Sequence, residues 1–121
     1  MISPQRIAIQ TALQSKCNYL VGAVLTDGKK KILAKACNKT NSHPKGSGIF
    51  STAHSEMNCL FKYLRLNNQK IRGHLYVARV SKTLRFGLAR PCPDCWRLLQ
   101  SVGIKQVVYT SPEGWRKEMV V

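Results

Sequence analysis

The chain has 121 residues, of which 44% are hydrophobic, and it carries 20 Lys and Arg against 5 Asp and Glu, a formal net charge of +15. This length and apolar fraction exclude a disordered tail and predict a single domain over residues 1–121 with one core. The charge disfavours basic proteins as partners and favours a polyanion, most simply nucleic acid. A basic soluble domain without such a partner is the alternative.

Targeting signals and disulfides are not evident in the sequence. No stretch approaches the roughly 20 apolar residues of a membrane span, and Met1–Arg6 contains no apolar signal core. We therefore expect a cytoplasmic protein with no membrane partner. The five cysteines are odd in number and are not spaced as in a disulfide scaffold, so in a reducing compartment they are buried small residues or metal ligands.

Hydrophobic periodicity and turn residues predict alternating helices and strands. Ser3 as N-cap and Pro4 at the first helical position predict a helix over Pro4–Gln14. An Asp-Gly turn predicts a hairpin of the next two strands. In chain order, the later elements are strands over Asn18–Leu25 and Lys31–Cys37, a loop over Asn38–Ser51, a helix over Thr52–Leu66, a strand over His74–Val80, a basic loop over Ser81–Arg90, a helix over Pro93–Val102, and strands over Gln106–Thr110 and Trp115–Val121.

This order of elements predicts an α/β fold with three α/β/α layers. The middle of the chain alternates strand and helix, which indicates a parallel section joined by right-handed crossovers. The last two strands are too close in sequence for a crossover helix, so they would pair antiparallel. We therefore expect a mixed five-stranded sheet with an N-terminal antiparallel hairpin, a parallel centre and an antiparallel last strand.

Two short motifs carry candidate metal chemistry. His54-Ser55-Glu56 begins the second predicted helix, and Pro91-Cys92-Pro93-Asp94-Cys95 begins the third. Cys-x-x-Cys supplies two thiolates for one zinc ion, and a helix N-terminus stabilises thiolates. His54 can supply a third ligand and leave the fourth position open to a water, which the metal would acidify. Glu56 is then placed to accept a proton and pass it on.

Two alternative interpretations of these motifs remain open. A lone Cys-x-x-Cys can be a redox pair. A closed structural zinc site would need a fourth protein ligand, for which Cys59 is the candidate. Cys59 follows His54 by five residues, which places it roughly 140° away around a helix and points it elsewhere. A closed site would also leave Glu56 without a role.

His-x-Glu followed by Pro-Cys-x-x-Cys is a known signature of zinc nucleobase deaminases. On these motifs the chain resembles the cytidine deaminase-like superfamily, from the first helix to Tyr109. Matching features after the second motif are Leu98-Leu99, Gly103-Ile104 and Val107-Val108-Tyr109. The resemblance implies the three-layer cytidine deaminase-like fold and a hydrolytic deamination that releases ammonia.

The resemblance also implies roles for particular residues. His54, Cys92 and Cys95 would bind Zn²⁺, and Glu56 would shuttle protons. Asn38, at the end of the second strand, lies where many members place an Asn that contacts substrate. The predicted hairpin at the C-terminus is similar to one branch of the superfamily. The tRNA adenosine, deoxycytidylate and APOBEC-type enzymes instead reach a parallel last strand through a helix, which counts against those groups.

Basic residues surround both motifs and bear on the substrate. We expect these cations to converge at the mouth of the site, as in a groove that follows a polynucleotide. They are Lys29, Lys30, Lys31, Lys35, Lys39 and Lys45 before the first motif, and Arg79, Lys82, Arg85 and Arg90 before the second. Lys45, Arg85 and Arg90 are the predicted substrate-binding cations, and His43 is a candidate at the site mouth. Phe86 is a candidate for base stacking, whereas Trp96 is either a stacking or a core residue.

We therefore expect a zinc-dependent enzyme that converts cytosine to uracil in single-stranded polynucleotide, with DNA slightly favoured over RNA. A single-stranded substrate avoids the cost of extracting a base from a duplex. A deaminase of free cytidine, deoxycytidine or (d)CMP is the main alternative. A nucleic-acid-binding module with structural zinc is the second. A monomer is slightly favoured, because a polynucleotide needs an open groove.

Overall fold

The computed structural model of the chain describes residues 3–15, 20–28, 31–37, 39–40, 52–53, 73–91 and 93–120. Two helices and eight strands lie in these ranges. The helices are α1 (Pro4–Ala12) and α2 (Pro93–Val102), and the strands are β1 (Leu20–Thr26), β2 (Ile32–Cys37), β3 (Lys39–Thr40), β4 (Thr52–Ala53), β5 (His74–Val80), β6 (Phe86–Gly87), β7 (Gln106–Ser111) and β8 (Gly114–Met119).

The main sheet is mixed, and its order confirms the topology expected from the sequence. Five strands follow one another as β2-β1-β5-β7-β8, and the short β6 pairs with β5 off this path. β1 pairs antiparallel with both β2 and β5, β5 pairs parallel with β7, and β7 pairs antiparallel with β8. The N-terminal hairpin, the parallel centre and the antiparallel last strand are therefore all present.

The two helices cover opposite faces of this sheet. Along β1 the side chains alternate, because successive residues of a strand point to opposite faces. Ala23 and Leu25 join the core cluster that contains Leu99 of α2, whereas Leu20 and Val24 join the cluster that contains α1. The result is the expected α/β/α arrangement, with an α1 face and an α2 face.

The first helix begins as the sequence predicts. The Ser3 side chain accepts a hydrogen bond from the backbone N–H of Arg6 at 3.3 Å, and Pro4 occupies the first turn. The helix ends at Ala12, two residues before the predicted end at Gln14. α1 packs so closely on β1 that a Cβ at Gly22 would overlap the backbone of Ala8 and Ala12.

Three short strands differ from the sequence-based expectation. Lys39–Thr40, predicted as loop, pairs antiparallel with Thr52–Ala53, predicted as the start of a helix. The helix start at Thr52 is therefore wrong, since backbone pairing with β3 holds both residues extended. The rest of that predicted helix lies outside the described residues. Phe86–Gly87 forms β6 within the predicted basic loop, because it can pair with the end of β5.

Candidate active site

Most residues of the predicted metal and substrate site lie outside the part of the chain that the structure describes. The described members are Cys95, Arg85, Phe86 and Arg90. Outside it are His54, Glu56, Cys92, Asn38, His43 and Lys45. Among the described residues no three His, Cys, Asp or Glu side chains form a metal-binding group. The ligand set His54, Cys92 and Cys95 therefore stays a prediction.

Cys95 has the surroundings expected of a zinc-binding thiol. It is the third residue of α2, it is 1% exposed, and it is in no disulfide. The first turn of a helix presents backbone N–H groups without helical partners and the positive end of the helix dipole, both of which stabilise a thiolate. Cysteine sulfur is a preferred zinc donor, so this residue fits the metal that the motif implies.

The connection into the second motif is fixed against the end of the sheet. It leaves the carboxyl end of β5, and in sheets of this kind ligands bind beyond the carboxyl ends of parallel strands. The Ala89 backbone N–H donates to the Thr110 carbonyl oxygen of β7 at 2.9 Å. Pro91, two residues after Ala89, is fully buried. The segment just before the Cys-x-x-Cys motif is therefore anchored on β7.

Arg90 lies between these two anchors, and its side chain is engaged within the protein. The Arg90 Nε donates to Glu118 Oε2 at 2.7 Å, and the Tyr109 hydroxyl donates to the same oxygen at 2.8 Å. The Arg90 guanidinium carbon also lies 4.6 Å from the centre of the Trp96 ring. The sequence predicts Arg90 to be a substrate-binding cation. Its partner Glu118 is 28 residues away, so no local sequence pattern indicates this ion pair.

These contacts shift two titratable groups. Hydrogen bonds from Arg90 and then from Tyr109 lower the pKa of the Glu118 carboxyl. Burial, followed by the hydrogen bond to Glu118, raises the pKa of the Tyr109 hydroxyl. The carboxylate is therefore held in its charged form, and the tyrosine stays protonated as the donor.

The two aromatic candidates lie on opposite faces of the sheet. Phe86 pairs with Val80 of β5, packs against the α1-face cluster, and meets Trp115 edge to face at a centroid distance of 6.0 Å. Trp96 packs against the α2-face cluster, as its core interpretation predicted. The structure therefore separates Phe86 from Trp96, and the two rings do not form one stacking site.

A cationic depression lies at the end of β5 and in the turn that follows it. We call it the hairpin depression; its volume is about 540 Å³, and its described lining is Arg79, Val80, Ser81, Lys82, Thr83, Arg85, Phe86 and Gly87. These residues include three cations and no carboxylate. Arg79, Lys82 and Arg85 lie together here, and the predicted convergence of the basic residues at the mouth of the metal site stays a prediction. The sequence does not single out the Ser81 and Thr83 hydroxyls, which also line the depression.

The turn beneath this depression is internally braced. The Ser81 side-chain oxygen accepts a hydrogen bond from the Arg85 backbone N–H at 3.0 Å, and the Ser81 and Thr83 hydroxyls are 2.9 Å apart. Gly87 leaves room for the Arg79 side chain, since a Cβ there would lie 3.1 Å from the Arg79 Cδ. The Arg79 side chain therefore lies across β6, and the hydrogen bonds of Ser81 hold the turn in one conformation.

Comparison with known proteins identifies the family. Residues 4–111 match the family model described as the cytidine and deoxycytidylate deaminase zinc-binding region. The dCMP deaminase from the cyanophage S-TIM5 in apo form is 26% identical, with a TM-score of 0.66 over 89% of this chain and 79% of that chain. Its structure in complex with dCMP and dUMP is 25% identical, with a TM-score of 0.67 over 88% and 77%. No curated protein sequence matches this chain.

A more distant likeness extends the fold comparison. The cytidine deaminase from Mycobacterium leprae is 17% identical, with a TM-score of 0.61 over 93% of this chain and 88% of that chain, which shows a shared fold. The argument that an antiparallel last strand counts against deoxycytidylate deaminases is weakened, because β8 is antiparallel and a dCMP deaminase is similar nonetheless.

Neither described helix is long and apolar enough to cross a membrane.

The family match covers β1 to β7, both described helices and both sequence motifs, and it carries the zinc requirement with it. The chain belongs to the cytidine and deoxycytidylate deaminase family and is a zinc-dependent hydrolytic deaminase of cytosine.

Proposed function

We propose that this protein deaminates the cytosine of a free pyrimidine nucleotide, with deoxycytidylate as the first candidate, and acts as a single catalytic domain. The observation that carries this proposal is the likeness to a dCMP deaminase solved in complex with dCMP and dUMP. This proposal replaces single-stranded polynucleotide, which the basic residues and the aromatic candidates in the sequence favour. The products are the uracil nucleotide and ammonia.

In this proposal the two motifs divide the chemistry. His54, Cys92 and Cys95 hold Zn²⁺, which when bound lowers the pKa of water toward neutrality. Glu56 accepts the proton of the water that adds to C4 of cytosine, and it delivers a proton to the departing amine. The C4–N bond breaks, a C4–O bond forms, and the nitrogen leaves as ammonia. The fit of Cys95 to a metal-binding role supports this assignment.

The hairpin depression is the proposed site for the phosphate of the substrate. Arg79, Lys82 and Arg85 supply positive charge, and the Ser81 and Thr83 hydroxyls supply further hydrogen-bonding groups. Hydrogen bonds between guanidinium groups and phosphate are among the stronger ones in proteins. The depression lies at the carboxyl end of β5, from which the chain continues into the Cys-x-x-Cys motif. A free nucleoside would have no use for this charge.

Single-stranded polynucleotide is the second candidate substrate. The net charge of +15 exceeds what one phosphate needs, and a strand of DNA or RNA would neutralise several cations at once. Such binding weakens steeply as salt rises, because counterions are released when the strand binds. A nucleotide with one phosphate would depend on salt far less.

A substrate panel tests the proposed function. Uracil formation is measured for cytidine, deoxycytidine, deoxycytidylate and single-stranded DNA and RNA oligonucleotides. We expect kcat/KM for deoxycytidylate to exceed that for deoxycytidine by about tenfold or more, equivalent to about 1.4 kcal/mol of phosphate binding. Equal rates on deoxycytidine would contradict a phosphate site. Turnover of oligonucleotides alone, falling steeply with salt, would establish the second candidate instead.

Paired variants test the phosphate site itself. Lys82→Ala with Arg85→Ala removes two exposed cations from the hairpin depression, and Lys105→Ala with Lys117→Ala removes two exposed cations elsewhere. We expect only the first pair to raise KM for deoxycytidylate, by about tenfold or more, because each lost charge-assisted hydrogen bond contributes about 1.5–3 kcal/mol. Neither pair should change KM for deoxycytidine. If the two pairs raised KM for deoxycytidylate equally, the effect would come from the overall positive charge of the protein and not from a phosphate site.

A further inference from the structure

The last strand contributes a carboxylate to the segment that carries the metal-binding motif. Glu118 of β8 accepts hydrogen bonds from Arg90 and Tyr109 on one oxygen, at 2.7 and 2.8 Å. Glu118 lies beyond residues 4–111, the part of the chain that the family model matches. The family assignment therefore gives this residue no role.

Arg90 connects Glu118 to both sides of the Cys-x-x-Cys motif in the sequence. Its own backbone lies two residues before Cys92, and its guanidinium group lies over Trp96, the residue that follows Cys95. Trp96 is fixed in turn by packing against the α2-face core cluster. The Arg90 side chain thus connects the segment before the motif to the first turn of α2, and Glu118 connects both to the sheet.

We propose that Glu118 is a positioning residue for zinc: through Arg90 and Trp96 it fixes the two ends of the segment that carries the Cys-x-x-Cys motif, so that the motif binds the metal tightly. The inference rests on the proposed ligands Cys92 and Cys95. Outer partners that orient metal ligands commonly contribute 10–100-fold to metal affinity. Glu118 acts one residue further out, by fixing the segment that carries the ligands.

A role in overall stability alone would have a different signature. The Arg90 and Glu118 side chains are 42% and 38% exposed, and ion pairs of this exposure contribute about 0–1 kcal/mol to folding. Removing Glu118 also takes the acceptor from the Tyr109 hydroxyl, so the free energy of unfolding should fall by about 1–3 kcal/mol at most. A local displacement of the two thiols would change zinc affinity strongly, because tetrahedral coordination tolerates little movement.

The test measures the zinc dissociation constant of the whole purified chain by competition with a coloured chelator, without substrate. The variants are Glu118→Ala, Glu118→Gln and the control Glu113→Ala. Glu113 is the matched carboxylate, since it precedes the same strand and makes only a 3.9 Å ion pair with Arg116 at the surface. Urea unfolding of the metal-free proteins is measured alongside.

We expect Glu118→Ala to weaken zinc binding by about 10–100-fold. Glu118→Gln should weaken it less, because the amide oxygen can still accept the two hydrogen bonds. Glu113→Ala should bind zinc as the unmodified chain does. Equal zinc affinity in Glu118→Ala and Glu113→Ala would overturn the inference, whatever happens to stability.

The outcome separates this inference from the proposed function. Zinc affinity is read without a nucleotide, so a failed substrate panel would leave the role of Glu118 standing. Failure of the unmodified chain to bind zinc would refute the metal site and this inference together. Normal zinc affinity in both Glu118 variants, with deoxycytidylate still turned over, would refute this inference alone.

Discussion

Thr110 joins three strands through one buried hydroxyl. Its Oγ1 accepts a hydrogen bond from the Arg79 backbone N–H of β5 at 2.9 Å and donates to the Gly87 carbonyl oxygen of β6 at 2.8 Å. The residue itself belongs to β7 and is 0% exposed. The bridge joins the three strands at the point where the pairing partner of β5 changes from β7 to β6. It also fixes the backbone of the hairpin depression.

Thr110→Val should destabilise the fold, because valine keeps the shape but removes the hydroxyl that bonds the Arg79 N–H and the Gly87 carbonyl oxygen, both part-buried. We expect the free energy of unfolding to fall by about 1–3 kcal/mol in urea denaturation. Thr83→Val is the control, since Thr83 is exposed and should stay within about 0.5 kcal/mol. Equal losses in the two variants would refute the bridging role.

Single-residue roles were predictable where the partner is close in sequence. Ser3 caps α1 through a hydrogen bond to a residue three positions away, so its role follows from local chemistry. The ion pair of Arg90 with Glu118 depends on β8 lying beside β7, which sequence alone does not place in register. The face on which Phe86 lies likewise depends on its pairing with Val80.

The packing of α1 on β1 depends on one missing side chain. A Cβ at Gly22 would overlap the Ala8 carbonyl oxygen and the Ala12 amide nitrogen, both backbone atoms that cannot rotate away. Helix and strand would have to separate, and the α1-face core would lose its contacts. Glycine is therefore the only residue that fits this close approach without such a shift.

Gly22→Ala should cost about 1–3 kcal/mol of unfolding free energy, the usual range for forcing extra volume into a packed core. The control is Gln10→Ala, an exposed position of α1, which should be nearly neutral. Urea unfolding measures both variants. An unchanged midpoint in Gly22→Ala would show that α1 does not rest on β1 as described.

Among the elements, the longer strands and α1 and α2 follow from the sequence, and the shortest strands do not. Seven residues of alternating or continuous apolar character identify β1 and β5. β3, β4 and β6 have two residues each, too few for any periodicity. Each forms because a partner strand lies alongside, so only the folded structure reveals it.

At the level of the whole molecule, the order of strands was predictable and the substrate was not. Short connections and right-handed crossovers leave few ways to arrange these elements, and the sheet follows one of them. Charge is a weaker guide, since a net charge of +15 attracts a nucleotide and a polynucleotide alike. Likeness to a dCMP deaminase, together with the hairpin depression, now favours the nucleotide.

The most direct test measures ammonia and dUMP released from deoxycytidylate, with zinc content determined on the same samples. The zinc-loaded chain should bind one zinc and turn over substrate, and chelation should abolish turnover. Glu56→Ala should keep its zinc and lose activity by about 10²–10⁴-fold, the usual contribution of a general acid–base group. Undiminished turnover by Glu56→Ala or by the metal-free chain would contradict the account.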